Sequence, residues 1–97
     1  MRLVAVKRST RPGKKLMAVF DDGTATHFGA AGYQDYTTYA ARDPAEARRK
    51  RRQYIARHAR GEDWRDPRAA GTLARYVLWE RPTVEAAVTA YRRRFRV

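Results

Sequence analysis

The chain has 97 residues, enough for one small domain with a single core. Its formal net charge is +12, from 22 Lys and Arg against 10 Asp and Glu, and this excess favours a polyanionic partner. The absence of cysteine excludes disulfides and cysteine-based zinc sites. No apolar stretch approaches the ~20 residues that cross a bilayer, so we expect no membrane association.

The first third of the chain is predicted to form strands. Short apolar runs lie at residues 3–6, 16–20 and 24–28, and Gly23 ends the tight turn between the last two. We therefore expect a three-stranded antiparallel meander. Its first hairpin loop, at residues 8–14, is predicted to be lined by cations that contact a nucleic-acid backbone: Lys7, Arg8, Arg11, Lys14 and Lys15.

A tyrosine every third residue marks the segment that follows the strands. Tyr33, Tyr36 and Tyr39 recur across a polar stretch that is either a loop or a helical turn. Their rings either form an exposed aromatic surface or pack over the sheet edge, and the sequence leaves both interpretations open.

The most informative local signal is a helix start followed by five cations. Asp43 is placed as the N-cap, Pro44 at the first helical position, and Glu46 three residues after the cap, which is a capping-box pattern. Residues 48–52 are all Arg or Lys. The helix is predicted to run from 44 to 60 and to stop at Gly61. A cap fixes the basic run on an ordered surface, as binding to a polyanion requires.

Helical periodicity divides the side chains of this helix between two faces. At about 100° per residue, an inward face is predicted to carry Ala47, Arg51, Tyr54, Ile55 and His58. Arg51 should pack its stem and pair with a carboxylate, and His58 is interpreted as a boundary histidine. The outward face is predicted to carry Arg49, Lys50, Arg52, Gln53 and Arg57. Its cations, together with Arg48, are predicted to contact phosphates.

Two further helices are predicted in the remaining chain. Asp66 and Pro67 open one that ends before Pro82, and Thr83 caps the next. Trp64 and Trp79 flank the earlier of these helices and should anchor it to the sheet. The last turn of the chain adds a second group of predicted phosphate contacts: Arg92, Arg93, Arg94 and Arg96. The predicted fold is a single α+β domain, with the meander in a β-rich part (1–41) and three helices packed on one face (42–97).

Three stretches together resemble a known family. The first stretch is residues 29–37, the second combines residues 54–58 with 62–67, and the third is residues 71–83. The second contains the motif Asp-Trp-x-Asp-Pro, and the third contains Leu-Trp-x-x-Pro-Thr. The chain resembles, over roughly residues 15–95, small uncharacterised proteins encoded by large double-stranded DNA viruses of algae and protists. The resemblance implies a viral protein that is packaged in the virion, and it brings no catalytic or binding residues.

These observations favour a basic viral protein without catalytic residues, cofactor or metal. We expect it to bind nucleic acid, DNA rather than RNA, through phosphate contacts without sequence specificity, in genome packaging or condensation. The expected location is the infected host cell, in the nucleus or a cytoplasmic viral factory, and the virion itself. One alternative is a virion structural or adaptor protein that binds acidic protein surfaces. A small nuclease built on Glu62, Asp63 and Asp66 is the least favoured, because no catalytic constellation stands out.

Overall fold

The computed structural model describes residues 1–97 and shows an α+β fold, as predicted. One antiparallel sheet, in the order β1-β2-β3, contains β1 (Leu3–Arg8), β2 (Lys14–Phe20) and β3 (Ala25–Ala30). The helices that follow are α1 (Tyr36–Arg42), α2 (Pro44–His58), α3 (Ala70–Leu73) and α4 (Val84–Phe95). α3 continues directly into a π-helical segment, Ala74–Leu78. No helix is long and apolar enough to cross a membrane.

The strands extend beyond the apolar runs that predicted them. β1 and β2 pair as far as Arg8 opposite Leu16, and β2 begins with Lys14 opposite Ala30. A strand ladder uses main-chain groups, so it continues through polar residues at its ends. The prediction of one loop lined by five cations is therefore wrong. Only Arg11 lies in the turn, and the strands hold the other four: Lys7, Arg8, Lys14 and Lys15.

The core lies between one face of the sheet and the helices after α2. The sheet contributes Leu3, Ala18, Phe20 and Phe28, all almost fully buried. The helical side contributes residues 73 and 76–78 together with Tyr91 of α4. Trp64 and Trp79 pack against this core half-buried, which confirms their predicted anchoring role. Because strand side chains alternate, His27 lies on the opposite face of the sheet, where its Nδ1 is 2.7 Å from the hydroxyl of Ser9.

The number of helices differs from the prediction, because the tyrosine segment forms a fourth helix, α1. Asp35 caps it: its carboxylate accepts hydrogen bonds from the backbone N–H groups of Thr37 and Thr38. The hydroxyl of Thr38 in turn accepts from the backbone N–H of Asp35 at 2.9 Å. This is a capping box with threonine in place of the usual glutamate, so the sequence pattern did not reveal it.

Asp43 caps α2 as predicted, but the predicted capping box is absent. Its carboxylate accepts from the N–H groups of Ala45 and Glu46, both at 3.2 Å. Its own N–H, which Glu46 would have satisfied, donates to the carbonyl oxygen of Tyr39 at 2.7 Å and closes α1. One residue therefore ends α1 and begins α2.

The second predicted helix begins later than expected. The carboxylate of Asp66 accepts from the N–H of Arg68 in a local turn, so it does not cap α3, which begins at Ala70 with no side-chain cap. The carbonyl oxygen of Pro67 accepts from the hydroxyl of Tyr91 at 2.5 Å, which ties this turn to α4. The predicted cap of α4 is confirmed, since the Thr83 hydroxyl accepts from the N–H of Ala86.

A close approach at Gly29 joins β3 to the π-helical segment. Gly29 has φ +79°, and a Cβ there would lie 2.7 Å from Cδ1 of Leu78 and 3.2 Å from Cβ of Lys15. Both the backbone conformation and the packing therefore demand glycine at this position.

We predict that Gly29→Ala destabilises the fold by more than Gly32→Ala does. Gly32 also has a positive φ, +85°, but no atom lies within 4 Å of a Cβ built there. Gly32→Ala should therefore cost only the left-handed strain of about 1–2 kcal/mol, while Gly29→Ala adds a steric clash with Leu78. Urea unfolding of both variants measures the difference in unfolding free energy. Equal losses of stability would contradict the prediction, because they would show that Leu78 moves away from the added Cβ at no cost.

Candidate nucleic-acid interface

Most of the cations have no carboxylate partner. Of the 22 Lys and Arg, 17 have no carboxylate oxygen within 4.0 Å, and five have one. The five paired residues are Lys15, Arg51, Arg65, Arg68 and Arg75. The positive charge is thus largely available to an external anion.

Glu80 anchors α2 through Arg51. The Arg51 Nη2 lies 2.5 Å from Oε1 of Glu80, and its Nε donates to the carbonyl oxygen of Trp79 at 2.8 Å. The ring of Tyr54, one turn along the helix, stacks on Trp79 with centroids 4.4 Å apart. The predicted carboxylate pairing of Arg51 is confirmed, and α2 is held against residues 79–80.

The same carboxylate binds a second arginine. Nη1 of Arg75 lies 3.1 Å from each oxygen of Glu80, and its guanidinium lies over the rings of Trp64 and Tyr76. The side chain of Arg75 is only 12% exposed. Partial burial of Glu80 acts to raise its pKa, but the hydrogen bonds from Arg75 and Arg51 outweigh burial and hold the pKa below its usual value.

Two surface clefts meet at Glu80 and Arg81. The first, of about 470 Å³, lies beside the N-terminal half of α2 and is lined by Tyr36, Arg48, Arg51, Arg52, Glu80 and Arg81. The second, of about 230 Å³, lies between the π-helical segment and α4, and its lining includes Tyr76, Glu80, Arg81, Arg93 and Arg94. We call the two neighbouring clefts, which share Glu80 and Arg81, the basic cleft.

The basic cleft brings together two groups of cations that are distant in sequence. Five of its arginines have no carboxylate partner, and all five are exposed: Arg48, Arg52, Arg81, Arg93 and Arg94. Arg94 is positioned by the ring of Tyr76, with its guanidinium carbon 4.5 Å from the centroid. The only carboxylate that lines the basic cleft is Glu80, and it is already bound by Arg51 and Arg75. Such an arrangement can bind an extended anion through several guanidinium groups at once.

Sequence reasoning missed Arg81. It stands alone in the sequence between Glu80 and Pro82, outside both basic runs, and only the fold places it between α2 and α4. The one sequence feature that could have suggested a role for Arg81 is its position directly after Trp79 and Glu80, which contact α2 in the structure.

The other predicted phosphate contacts have different surroundings. Arg49 is exposed, and Lys50 lies 5.8 Å from the centroid of the Tyr39 ring. Arg57 and Lys14 line a separate groove between α2 and β3. Four further predicted cations lie outside the basic cleft and that groove and are exposed: Lys7, Arg8 and Arg11 on the hairpin, and Arg96 after α4.

Two predicted contacts are held by the protein itself. The ammonium of Lys15 donates to a carboxylate oxygen of Asp35 and to the carbonyl oxygen of Tyr33, both at 2.6 Å. Nη1 of Arg92 donates to the carbonyl oxygen of Leu3 at 2.7 Å. Both cations serve the fold, because these bonds hold the α1 cap and the first strand in place.

The acidic residues after α2 each have a separate partner. Glu62 accepts from Nε1 of Trp64 at 2.8 Å and lies 3.3 Å from Nδ1 of His58. Asp63 pairs with Arg65, and this hydrogen bond lowers the pKa of Asp63. Glu62 has no arginine partner. No three His, Asp or Glu side chains come together as a metal site.

We predict that Glu80→Gln lowers the free energy of unfolding by about 3 kcal/mol at neutral pH, because Arg75 then stays largely buried without a counter-charge. The pKa of Glu80 in the folded protein lies below the ordinary 4.5, so its stabilising contribution is complete above that value. It is lost as the pH falls through the lower folded value. Urea unfolding of both proteins from neutral to acidic pH should therefore show a smaller difference at acidic pH.

Glu85→Gln is the matched control. It removes the same charge from an exposed carboxylate that has no arginine within 4.0 Å. A loss of stability in this control as large as in Glu80→Gln would contradict the structural role assigned to Glu80.

Comparison with known proteins gives one match. A family of unknown function (DUF5754) matches residues 4–58, which span the sheet, α1 and α2 and make up more than half of the chain. Neither the curated proteins nor the solved structures contain a significant match. Because the match covers more than half of the chain, from the meander to the capped basic helix, the chain belongs to this family of unknown function.

Proposed function

We propose that the protein binds nucleic acid through phosphate contacts without sequence specificity and has no catalytic activity. The observation that carries the proposal is the basic cleft, in which α2, residue 81 and α4 present five exposed arginines without carboxylate partners. Phosphates carry a dense, regular negative charge, and Arg binds them through planar, bidentate hydrogen bonds.

The charge balance supports a polyanion over a small anion. Phosphate contacts at all five arginines would make the logarithm of the duplex affinity fall with the logarithm of salt at a slope of about −4.5. A net charge of +12 also destabilises the compact fold by self-repulsion, so a bound polyanion would stabilise it.

The resemblance to proteins of large DNA viruses supports a proposal for the biological role. We extend the proposal to the packaging or condensation of a viral DNA genome, in the host nucleus or a cytoplasmic viral factory and in the virion. We assign no catalytic role to Glu62, Asp63 or Asp66, because each carboxylate is engaged by its own neighbours.

The proposal predicts that reversing the charge of the cleft removes binding. We expect the triple variant Arg48→Glu, Arg52→Glu, Arg81→Glu to bind a duplex of about 20 base pairs at least about 100-fold more weakly, and to lower the salt slope by about three. Fluorescence anisotropy between about 50 and 400 mM salt measures both quantities, and circular dichroism verifies the fold.

A matched triple variant separates the cleft from the total charge. Arg2→Glu, Arg11→Glu, Arg60→Glu changes the net charge equally at exposed arginines outside the cleft that also have no carboxylate partner. This variant should keep most of the affinity and the original slope. Equal losses in the two triples would refute the cleft as the binding site. Affinity that does not depend on salt, with stable co-assembly on one acidic protein, would favour the adaptor function.

A further inference from the structure

The groove between α2 and β3 has features that the basic cleft lacks. It has a volume of about 420 Å³, within the range of sites that hold small molecules. Aromatic rings from three parts of the chain line it: Tyr33 after β3, Tyr54 and His58 on α2, and Trp79. Lys14 and Arg57, both exposed and without a carboxylate partner, also line it. We call it the aromatic groove.

Three of these rings form a continuous stack. Tyr54 lies in the middle, with its ring 4.4 Å from Trp79 at an interplanar angle of 6° and 4.2 Å from His58 at 27°. The inner rings pack into the protein, whereas the side chain of His58 is 38% exposed at the outer end. An oxygen of Glu62 lies 3.3 Å from the Nδ1 of this imidazole. A further flat ring can therefore extend the stack at His58.

Tyr33 adds a second aromatic surface at the rim. It is 74% exposed, the highest value among the large hydrophobic residues of the chain. Its backbone is nevertheless fixed, because its carbonyl oxygen accepts from the Lys15 ammonium at 2.6 Å and its N–H donates to Ala30. An ordered backbone that presents an exposed ring is typical of base-stacking platforms.

We infer that the aromatic groove binds unpaired bases of a single-stranded nucleic acid. The bases stack on His58 and Tyr33, and Lys14 and Arg57 contact the adjoining phosphates. Paired bases inside a duplex have both faces covered by their neighbours, so the groove selects single strands, whereas the basic cleft contacts phosphates of either form. Every base has a flat face, so this selection is independent of sequence. The inference rests on the proposed function and names the form of nucleic acid that the protein prefers.

The test compares an oligothymidylate single strand with a mixed-sequence duplex of equal length, using the full chain. Tyr33→Ala should weaken single-strand binding by at least about fivefold and leave duplex binding within about twofold. Tyr33→Phe keeps the ring and should retain single-strand affinity. His58→Phe removes the contact with Glu62 but keeps a stacking surface, and it should bind better than His58→Ala.

Proton NMR of the two histidines locates the contact. Oligothymidylate should shift the ring resonances of His58 upfield, since a stacked base shields them. His27, on the opposite face of the sheet, should not move. Polyglutamate serves as the acidic-protein probe, and a His58 shift with polyglutamate but not with oligothymidylate would overturn the inference.

The outcomes separate this inference from the proposed function. Equal affinity for both forms, with Tyr33→Ala and His58→Ala unchanged, would overturn the aromatic groove while leaving the basic cleft intact. A failure to bind either form would refute both. Single-strand preference that depends on both rings would establish the groove as a base-binding site.

Discussion

One carboxylate, Glu80, holds the helical half of this protein together. It neutralises Arg75, whose side chain is 12% exposed and lies between two aromatic rings. It also binds Arg51 and so fixes α2, the helix with the highest density of cations. A buried arginine without its partner is costly, and a strongly basic helix repels the rest of a basic protein. Glu80 neutralises the buried arginine and holds the basic helix in place, and it lines both parts of the basic cleft.

Short-range sequence signals predicted much of the fold. Asp43, Thr83 and Gly23 each act through groups within a few residues, so their cap or turn geometry can be inferred from sequence. The carboxylate pairing of Arg51 was predicted because helical periodicity shows which side chains face inward. The α+β class followed from the order of these elements.

The errors arose where tertiary contacts decide the local structure. The start of α3 depends on Tyr91, whose hydroxyl binds the carbonyl oxygen of Pro67 from 24 positions away. α1 is the exception, since its capping box is local and was missed because a threonine takes the usual place of glutamate. The candidate site depends on contacts still further apart. Arg51 and Glu80 are 29 positions apart, and the position of Arg81 between the two basic groups exists only in three dimensions. Periodicity predicted that Arg51 has a carboxylate partner, but no pattern in one sequence identifies Glu80 as that partner or places Arg81 beside it.

The shared residue between α1 and α2 has a mechanical consequence. The N–H of Asp43 closes α1, and its carboxylate caps α2. Neither helix can therefore rotate relative to the other without breaking hydrogen bonds at the end of α1 and at the start of α2. The two helices therefore form a rigid elbow. A ligand that displaced α2 would therefore have to carry α1 and Tyr36 with it. The Lys15–Asp35 ion pair ties the start of this two-helix unit to β2, so such a movement would also strain the sheet.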